Sequence, residues 1–503
     1  MCIFSNFKNI TCHRFARLYR YYSHTIFALS SGQGKCGVAV IRVSGHLSET
    51  ALKELASLKS LPPPRTTLLR SLRHPKSKEI LDRGLVIWFP GPRSFTGEDS
   101  CEFHVHGGLA VVNGMLDALS CIPSFRLAEP GEFTKRAFQN GKLNLTEVEG
   151  LADLLQAETE AQRKQAFLQT NGSLSKLYQK WKAVLLKNVA HIEAHIDFEE
   201  TETLEHGLID KVTSEAKLLI EEIEQHLNDG RKGEILRNGV NTVIIGEPNV
   251  GKSSLLNSLV ERPASIVTPI SGTTRDVVAV TLNVKGYPLV LSDTAGIRTI
   301  SDDIVENEGI KRTLKSYKES DLVILVVDFE KYHQWAIINN NAIFMNYLMY
   351  YVRKLNVDDL TSNSDKISDM FTKHCIVVLN KCDLDENNIC DNLQDGIVKV
   401  SCINKNGLST LVDCLADKLK LLCGDPSQEH PSMNQRRHRQ QVTECLRNLK
   451  LFLQEMQSDT HSHDVVIMAE YLRKSLRSLG KLVGTVSSEE ILDVVFSQFC
   501  IGK

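Results

Sequence analysis

No apolar run in these 503 residues is long enough to cross a bilayer, so no membrane insertion is expected. The 13 cysteines show no C-x-x-C or zinc-like pairing, and read most simply as reduced thiols in an intracellular compartment. Net charge is only −2, so no global field draws nucleic acid, and any RNA contact has to come from local patches or a partner. No acidic residue precedes Glu49, while Lys8, Arg14, Arg17 and Arg20 punctuate a hydroxylated stretch. That composition is a mitochondrial presequence signature over residues 1–23, with the first strand starting near Thr25. A plain disordered basic tail is the competing reading. No proline occurs from Leu145 to Arg237, where apolar residues recur at helical spacing, as in LADLLQAE and AVLLKNVAHIEAHI.

Against these absences stands Gly246 to Ser254, GEPNVGKSS, entered from the strand-like NTVII. It matches the phosphate-binding loop G-x-x-x-x-G-K-[ST]. The glycines let successive N–H groups face phosphate oxygens, and a helix opening at Ser253 adds its positive dipole. Asn249, Val250, Gly251, Lys252, Ser253 and Ser254 would line the phosphates. Lys252 would reach the β- and γ-phosphates as the main catalytic cation, and the Ser253 hydroxyl would ligate Mg²⁺.

Further parts follow in order. LVLSDTAG delivers Asp293, Thr294, Ala295 and Gly296, with Asp293 holding Mg²⁺ through water and the Gly296 N–H sensing the γ-phosphate. LVILVVD, Leu322 to Asp328, has no alternation, as a buried parallel strand requires. CIVVLNKCD then contains N-K-x-D as Asn380, Lys381 and Asp383; the Asp383 carboxylate accepts two hydrogen bonds that guanine supplies and adenine does not. IVKVSC places Ser401 and Cys402 beside the base. The four motifs in this order read as a GTPase.

Ile297 follows DTAG where Ras-like enzymes carry a water-orienting glutamine. TPISGTTRD supplies Thr274 as the switch ligand for Mg²⁺ and a second catalytic candidate. Asn249 with this TTRD switch resembles the potassium-dependent GTPases that dimerise through their G domains. The resemblance implies that Asn249, Thr268, Ile270 and Thr273 surround K⁺, whose charge takes the place of an arginine finger. A loop-shaping asparagine is the alternative for Asn249.

Patterning implies a multidomain chain: a presequence at 1–23, an α+β N-terminal domain at 24–143, an all-α helical domain in two parts at 144–237 and 425–503, and an inserted α/β Ras-like P-loop G domain at 238–424. The segment between Asp328 and His374 is long, and its Asn- and aromatic-rich stretch Trp335 to Leu355 is expected to be a local helix-loop excursion.

FTGEDSCEFHVHGG, AEPGEFTKRAFQNGKLNL and the final Cys500-Ile501-Gly502-Lys503 resemble the wobble-uridine tRNA-modification GTPases of the MnmE/TrmE type, over nearly all of the chain after about His24. The chain departs from that pattern at Ser94-Phe95 and at Gly32-Gln33-Gly34. The resemblance implies a folate-binding-like N-terminal domain holding 5-formyltetrahydrofolate or a related tetrahydrofolate through Arg42, Glu98, Lys142 and Lys503. Cations suit folate's glutamate tail and a carboxylate suits the donor edge of its pterin. Taken singly, Arg42 or Lys142 is more often a solvated surface charge. The resemblance also implies a reactive role for Cys500, with a buried or inert thiol as the alternative. Glu306 aligns with the family's catalytic glutamate across one inserted residue, and Asp302 and Asp303 compete for that role.

The implied assembly is a homodimer acting with an FAD-containing tRNA-modification partner on mitochondrial tRNA in the matrix. GTP hydrolysis would drive G-domain movement while an aminomethyl-type group, taurine-derived in animal mitochondria, is installed at carbon five of the wobble uridine. The rival from another class is a ribosome-assembly GTPase acting as an RNA-binding switch, which would need neither PGEFTKRAF nor C-I-G-K. A scaffold with vestigial hydrolysis is disfavoured by the complete Lys252, Ser253 and Asp293 set.

Overall fold

A computed structural model describes residues 24–32, 34–198, 208–229, 231–261, 268–269, 280–291, 317–339, 343–357, 374–385, 396–427, 431–457, 465–484, 495–496 and 499–503. The chain groups into two compact units, one of residues 1–152 with 479–503 and one of residues 153–478.

The first unit contains β1 (Thr25–Leu29), β2 (Cys36–Ser44), α1 (Ser48–Ala56), β3 (Leu68–Arg73), β4 (Ile80–Phe89), β5 (Ser100–Gly107), α2 (Leu109–Ser120), β6 (Phe125–Leu127), α3 (Glu132–Gln139) and most of α4 (Leu145–Gln156). Its sheet runs β3-β4-β5-β2-β1-β6, antiparallel except for the parallel pair β1–β6. Period-two alternation sorts the side chains. Phe27, Ile41, Val43 and Phe103 join Leu52, Leu55, Met115 and Leu119 of α1 and α2 in one core. Ile26 and Ala28 point the other way and pack with Phe133 of α3. Arg42, between Ile41 and Val43, is therefore on the α3 side, opposite Glu102 in register.

The last residues return to this unit. Phe496 and Phe499 cluster with Leu145, Val148 and Ala152. The Ser30 hydroxyl donates to the Gly502 carbonyl at 2.9 Å. Gly502 has φ +98°, and a Cβ there would lie 2.1 Å from the Leu29 carbonyl oxygen, so only glycine fits this turn.

The second unit opens with α5 (Glu160–Thr170), whose start is fixed by a reciprocal Thr159–Gln162 capping box. Then come α6 (Ser173–Phe198), α7 (Leu208–Leu227) and α8 (Lys232–Asn238); after the α/β part the chain resumes as α13 (Arg436–Gln457) and most of α14 (Val465–Val483). Tyr178, Trp181, Leu185, Ile220, Leu449 and Phe452 are among the residues these helices bury. The α/β part comprises β7 (Val240–Ile245), α9 (Lys252–Val260), β8 (Thr268–Pro269), β9 (Val280–Val284), β10 (Tyr287–Leu291), β11 (Leu322–Asp328), α10 (Phe329–Ile338), α11 (Phe344–Lys354), β12 (Cys375–Asn380), β13 (Ile397–Lys399) and α12 (Leu408–Cys423).

Its strand order is β13-β12-β11-β7-β10-β9-β8, with β7, β10, β11, β12 and β13 parallel and β9 antiparallel to both neighbours. All seven residues of β11 are buried, which explains its unbroken apolar run. β7 lies between β10 and β11, so successive crossovers leave it in opposite directions, and ligands of such sheets bind at the carboxyl end of that switch point.

The expectation for Trp335 to Leu355 needs correction. It is no excursion. Phe344, Tyr347, Leu348, Tyr351 and Val352 of α11 join Phe329 and Tyr332 of α10 against Val243, Val323, Leu325 and Val327, and so cover one face of the sheet. Their spacing of three and four residues is the helical signal that explains it.

Candidate functional site

β7 ends at Ile245 and releases the loop Gly246 to Gly251 into α9. Asn249 and Gly251 carry φ of +64° and +94°, the left-handed turns that bring the chain back towards the helix N-terminus. A Cβ on Gly251 would lie 2.2 Å from Asn380 Nδ2, so the glycine makes room for the amide of the guanine reader. That amide donates to the Val250 carbonyl at 2.9 Å and ties the two motifs into one site.

Lys252 Nζ donates to the carbonyls of Gly246 and Glu247 at 2.8 and 2.7 Å. An ammonium has three donors, so among the described residues one is left over. Burial lowers its pKa, the neighbouring Lys331 lowers it further, and Glu247 opposes both; an anionic ligand would restore the charged form. Ser253 and Ser254 sit exposed in the first turn of α9, at the positive end of the helix dipole.

On the base side, register sets Asp328 opposite Asn380. Lys381 Nζ reaches the buried Asp328 carboxylate at 2.6 Å, which also caps α10 by accepting from the Glu330 N–H at 3.0 Å. Asp383 is exposed in the short turn Cys382–Leu384. Ser401 is buried and its hydroxyl accepts from the Asn404 N–H at 3.2 Å. Burial raises the Cys402 thiol pKa, against hydrogen bonds to Ser258 and Asn380 that lower it.

Thr268 is placed at the sheet edge, its backbone paired with Thr281. Ile270, Thr273, Thr274, Asp293, Thr294, Ala295, Gly296, Glu306 and the competitors Asp302 and Asp303 lie outside the described residues.

The second candidate site is in the first unit. Arg42 Nε reaches Glu102 Oε1 at 3.0 Å, and its guanidinium stacks over Phe95 and Phe133 at 5.4 and 5.9 Å. Packed in this way, it is no freely solvated charge. Glu98 Oε2 accepts from the Ser44 hydroxyl and from Arg136 Nη1, both at 2.9 Å. Both bonds fall on one oxygen, so among the described residues Oε1 keeps acceptor capacity. Burial lowers the Lys503 pKa and Arg42 lowers it further, while Glu102 raises it, which sets all three side chains in one field. Lys142 is more exposed and donates to the Pro92 carbonyl at 3.1 Å; its stem lies beside Gly97. Cys500 is exposed, and its carbonyl closes a turn with the Lys503 N–H at 3.3 Å. Cations converging beside a supported carboxylate fit a ligand with an anionic tail and a hydrogen-bond-donor edge.

Sequence reading missed the supports. Arg136, 1% exposed, joins Glu98 to Glu132, and is itself within PGEFTKRAF. Glu102, across from Arg42, was legible only once strand pairing was known. Glu247, Lys331, Tyr351 and Lys354 form a polar cluster behind the phosphate loop that no local motif announces.

Comparison with known proteins covers both units. Residues 25–142 match the family model of the GTP-binding protein TrmE N-terminus, and residues 145–500 match that of the MnmE helical domain. The chain is 47% identical over 493 residues to the Danio rerio protein named 5-taurinomethyluridine-[tRNA] synthase subunit GTPB3, mitochondrial, covering 95% of this chain and 93% of that one. The Homo sapiens protein of the same name is 44% identical over 482 residues, covering 95% and 93%. The tRNA modification GTPase MnmE of Parvibaculum lavamentivorans is 42% identical over 479 residues, covering 95% and 100%. Among solved structures, the G domain of the T. maritima FeoB iron transporter matches 35% of this chain and 96% of that one at 21% identity, with a TM-score of 0.22, too low to speak for the fold. The phosphate loop tied to its guanine reader, the two family models and the end-to-end identity agree: this chain belongs to the MnmE/TrmE family of tRNA-modification GTPases.

Proposed function

We propose that this protein is a potassium-stimulated GTPase of mitochondria, acting in the matrix as a homodimer with an FAD-containing partner. Its task is to install an aminomethyl-type group, taurinomethyl in kind, at carbon five of the wobble uridine of mitochondrial tRNAs. The observation that carries the reading is one chain holding two differently built sites: the loop around Lys252, and the cluster of Arg42, Glu98 and Lys503. The relatives' printed names support the product, and the acid-free N-terminus supports the compartment.

The division of labour follows from the chemistry. Lys252, Ser253 and the N–H groups of residues 249–254 bind the phosphates, while Asn380 and Asp383 select guanine. Mg²⁺, held by Ser253 and Thr274, and K⁺, held by Asn249, Thr268, Ile270 and Thr273, would add positive charge around the transferring phosphoryl group. Glu306 is the proposed catalytic carboxylate. In the first unit, Arg42, Lys142 and Lys503 would hold the anionic tail of a tetrahydrofolate and Glu98 its pterin edge; the folate supplies the one-carbon unit, and Cys500 stands as the reactive thiol. The proposed boundaries are 1–23, 24–143, 144–237, 238–424 and 425–503.

The test is mass spectrometry of mitochondrial tRNA from cells lacking the protein. The expected result is wobble uridine without its carbon-five substituent. Fully modified uridine in those cells would overturn the proposal. In vitro, GTP turnover should be higher in K⁺ than in Na⁺ at equal ionic strength, and equal rates would remove the K⁺ assignment.

A further inference from the structure

Glu247, the second residue of the phosphate loop, is held through every polar group it has. Its N–H donates to the Tyr351 hydroxyl oxygen at 2.8 Å, and that hydroxyl donates to the Val326 carbonyl at 2.9 Å. Its carboxylate pairs with Lys331 of α10 and Lys354 of α11, each at 2.6 Å. Its carbonyl accepts from Lys252 Nζ at 2.7 Å. Tyr351 is 0% exposed and packs against the rest of the α10–α11 core, so its hydroxyl is aimed by the surrounding side chains.

The consequence falls on Lys252. Two of its three donors are spent on the carbonyls of residues 246 and 247, and these set the direction of the third. A shift of residue 247 re-aims that donor. The α10–α11 pair is therefore more than sheet cover, because it grips the loop residue whose carbonyl orients the phosphate-binding ammonium.

We propose that Tyr351 is a positioning residue for Lys252, acting through the backbone of Glu247, with Lys331 and Lys354 holding that residue's side chain. This rests on the reading of the loop as a GTP site. It extends the site to a segment far along the chain that carries no nucleotide motif.

The experiment is a double-mutant cycle in the full-length protein, read as affinity for a fluorescent GTP analogue well below the melting temperature. Tyr351→Phe keeps the ring and removes only the hydroxyl. It should weaken binding about tenfold in the wild-type background and less than about twofold in Lys252→Ala. A purely structural hydroxyl predicts an equal loss in both backgrounds, and that result, or no loss in either, would overturn the proposal. If circular dichroism shows Tyr351→Phe unfolded, Lys354→Gln takes its place. A loss confined to the wild-type background then supports the proposal, and an equal loss or none overturns it. A wild-type chain that bound no GTP analogue would overturn the nucleotide-site reading itself, whereas normal wild-type binding with unaffected variants would overturn this inference alone.

Discussion

In the loop from Gly246 to Ser254 the groups proposed to face a ligand are consecutive residues of one strand–loop–helix unit, whereas around Arg42 they are side chains gathered from residues 42, 98, 142 and 503. The first arrangement depends on backbone shape, hence on glycines and one asparagine with positive φ. The second depends on ion pairs, with Arg136 buried beneath Glu98 and Glu132. The two sites should therefore fail in different ways. A loop site loses affinity when a small residue grows or the lysine is re-aimed. A gathered site loses fold and ligand together when a buried partner is removed.

The largest expected effect tests the gathered site. Arg136→Met takes the buried cation from the half-buried Glu98, which keeps the Ser44 hydroxyl, and from the buried Glu132, which keeps Arg126. Breaking a buried pair from one side costs about 3–5 kcal/mol, and these remaining partners put the expected loss at the low end of that range. Chemical denaturation should show that loss, with GTP turnover per folded molecule largely kept. A loss under about 1 kcal/mol would mean that Arg126 and Ser44 alone hold the two carboxylates.

This contrast also decides what could be read from the sequence. The phosphate loop, N-K-x-D and the unbroken run of β11 were legible because each is local: backbone amides, one carboxylate, one buried strand. Glu102 and Arg136 were illegible because nothing in a sequence states which strand lies beside which. The stretch Trp335 to Leu355 was read as a local helix-loop excursion; its helical character was legible, but nothing local states that Phe344, Tyr347, Leu348 and Tyr351 pack against the sheet. Arg42, Glu98, Lys142 and Lys503 came from family resemblance, and the structure shows the side-chain chemistry around them that patterning could not supply.

A medium effect sharpens the loop side. Asp383→Asn replaces the proposed guanine acceptor with a mixed donor and acceptor. GTP affinity should fall by about 1.5–3 kcal/mol, roughly ten- to a hundredfold, while xanthosine triphosphate gains, as a competition titration would show. Unchanged nucleotide preference would remove Asp383 from the base site.

The smallest effect belongs to neither site and serves as a control. His226 of α7 lies edge-on to Tyr178 and Trp181 with ring centroids 6.0 and 5.4 Å away. Burial lowers its pKa from 6.5 to about 4, with Asp229 pulling it up and Arg439 and His438 pushing it down. The unfolded chain takes up this proton near pH 6.5 and the folded chain only near pH 4. Its contribution to stability is therefore full above pH 6.5 and declines as pH falls towards 4. Between pH 6.5 and 5.5 the decline should be about 1 kcal/mol. His226→Gln should flatten the pH slope of thermal denaturation by that amount, and leave both ligand affinities alone. An unaltered slope would mean that another group titrates there.

The central claim is that nucleotide turnover and the anionic ligand of the first unit belong to separate sites in one chain. Titration calorimetry of Lys252→Ala with 5-formyltetrahydrofolate, on protein whose GTP turnover has been measured as lost, tests it most directly. The account predicts folate affinity within about twofold of wild type, because the Arg42 cluster and the loop belong to different compact units. A loss of folate binding in parallel with GTP turnover would contradict it.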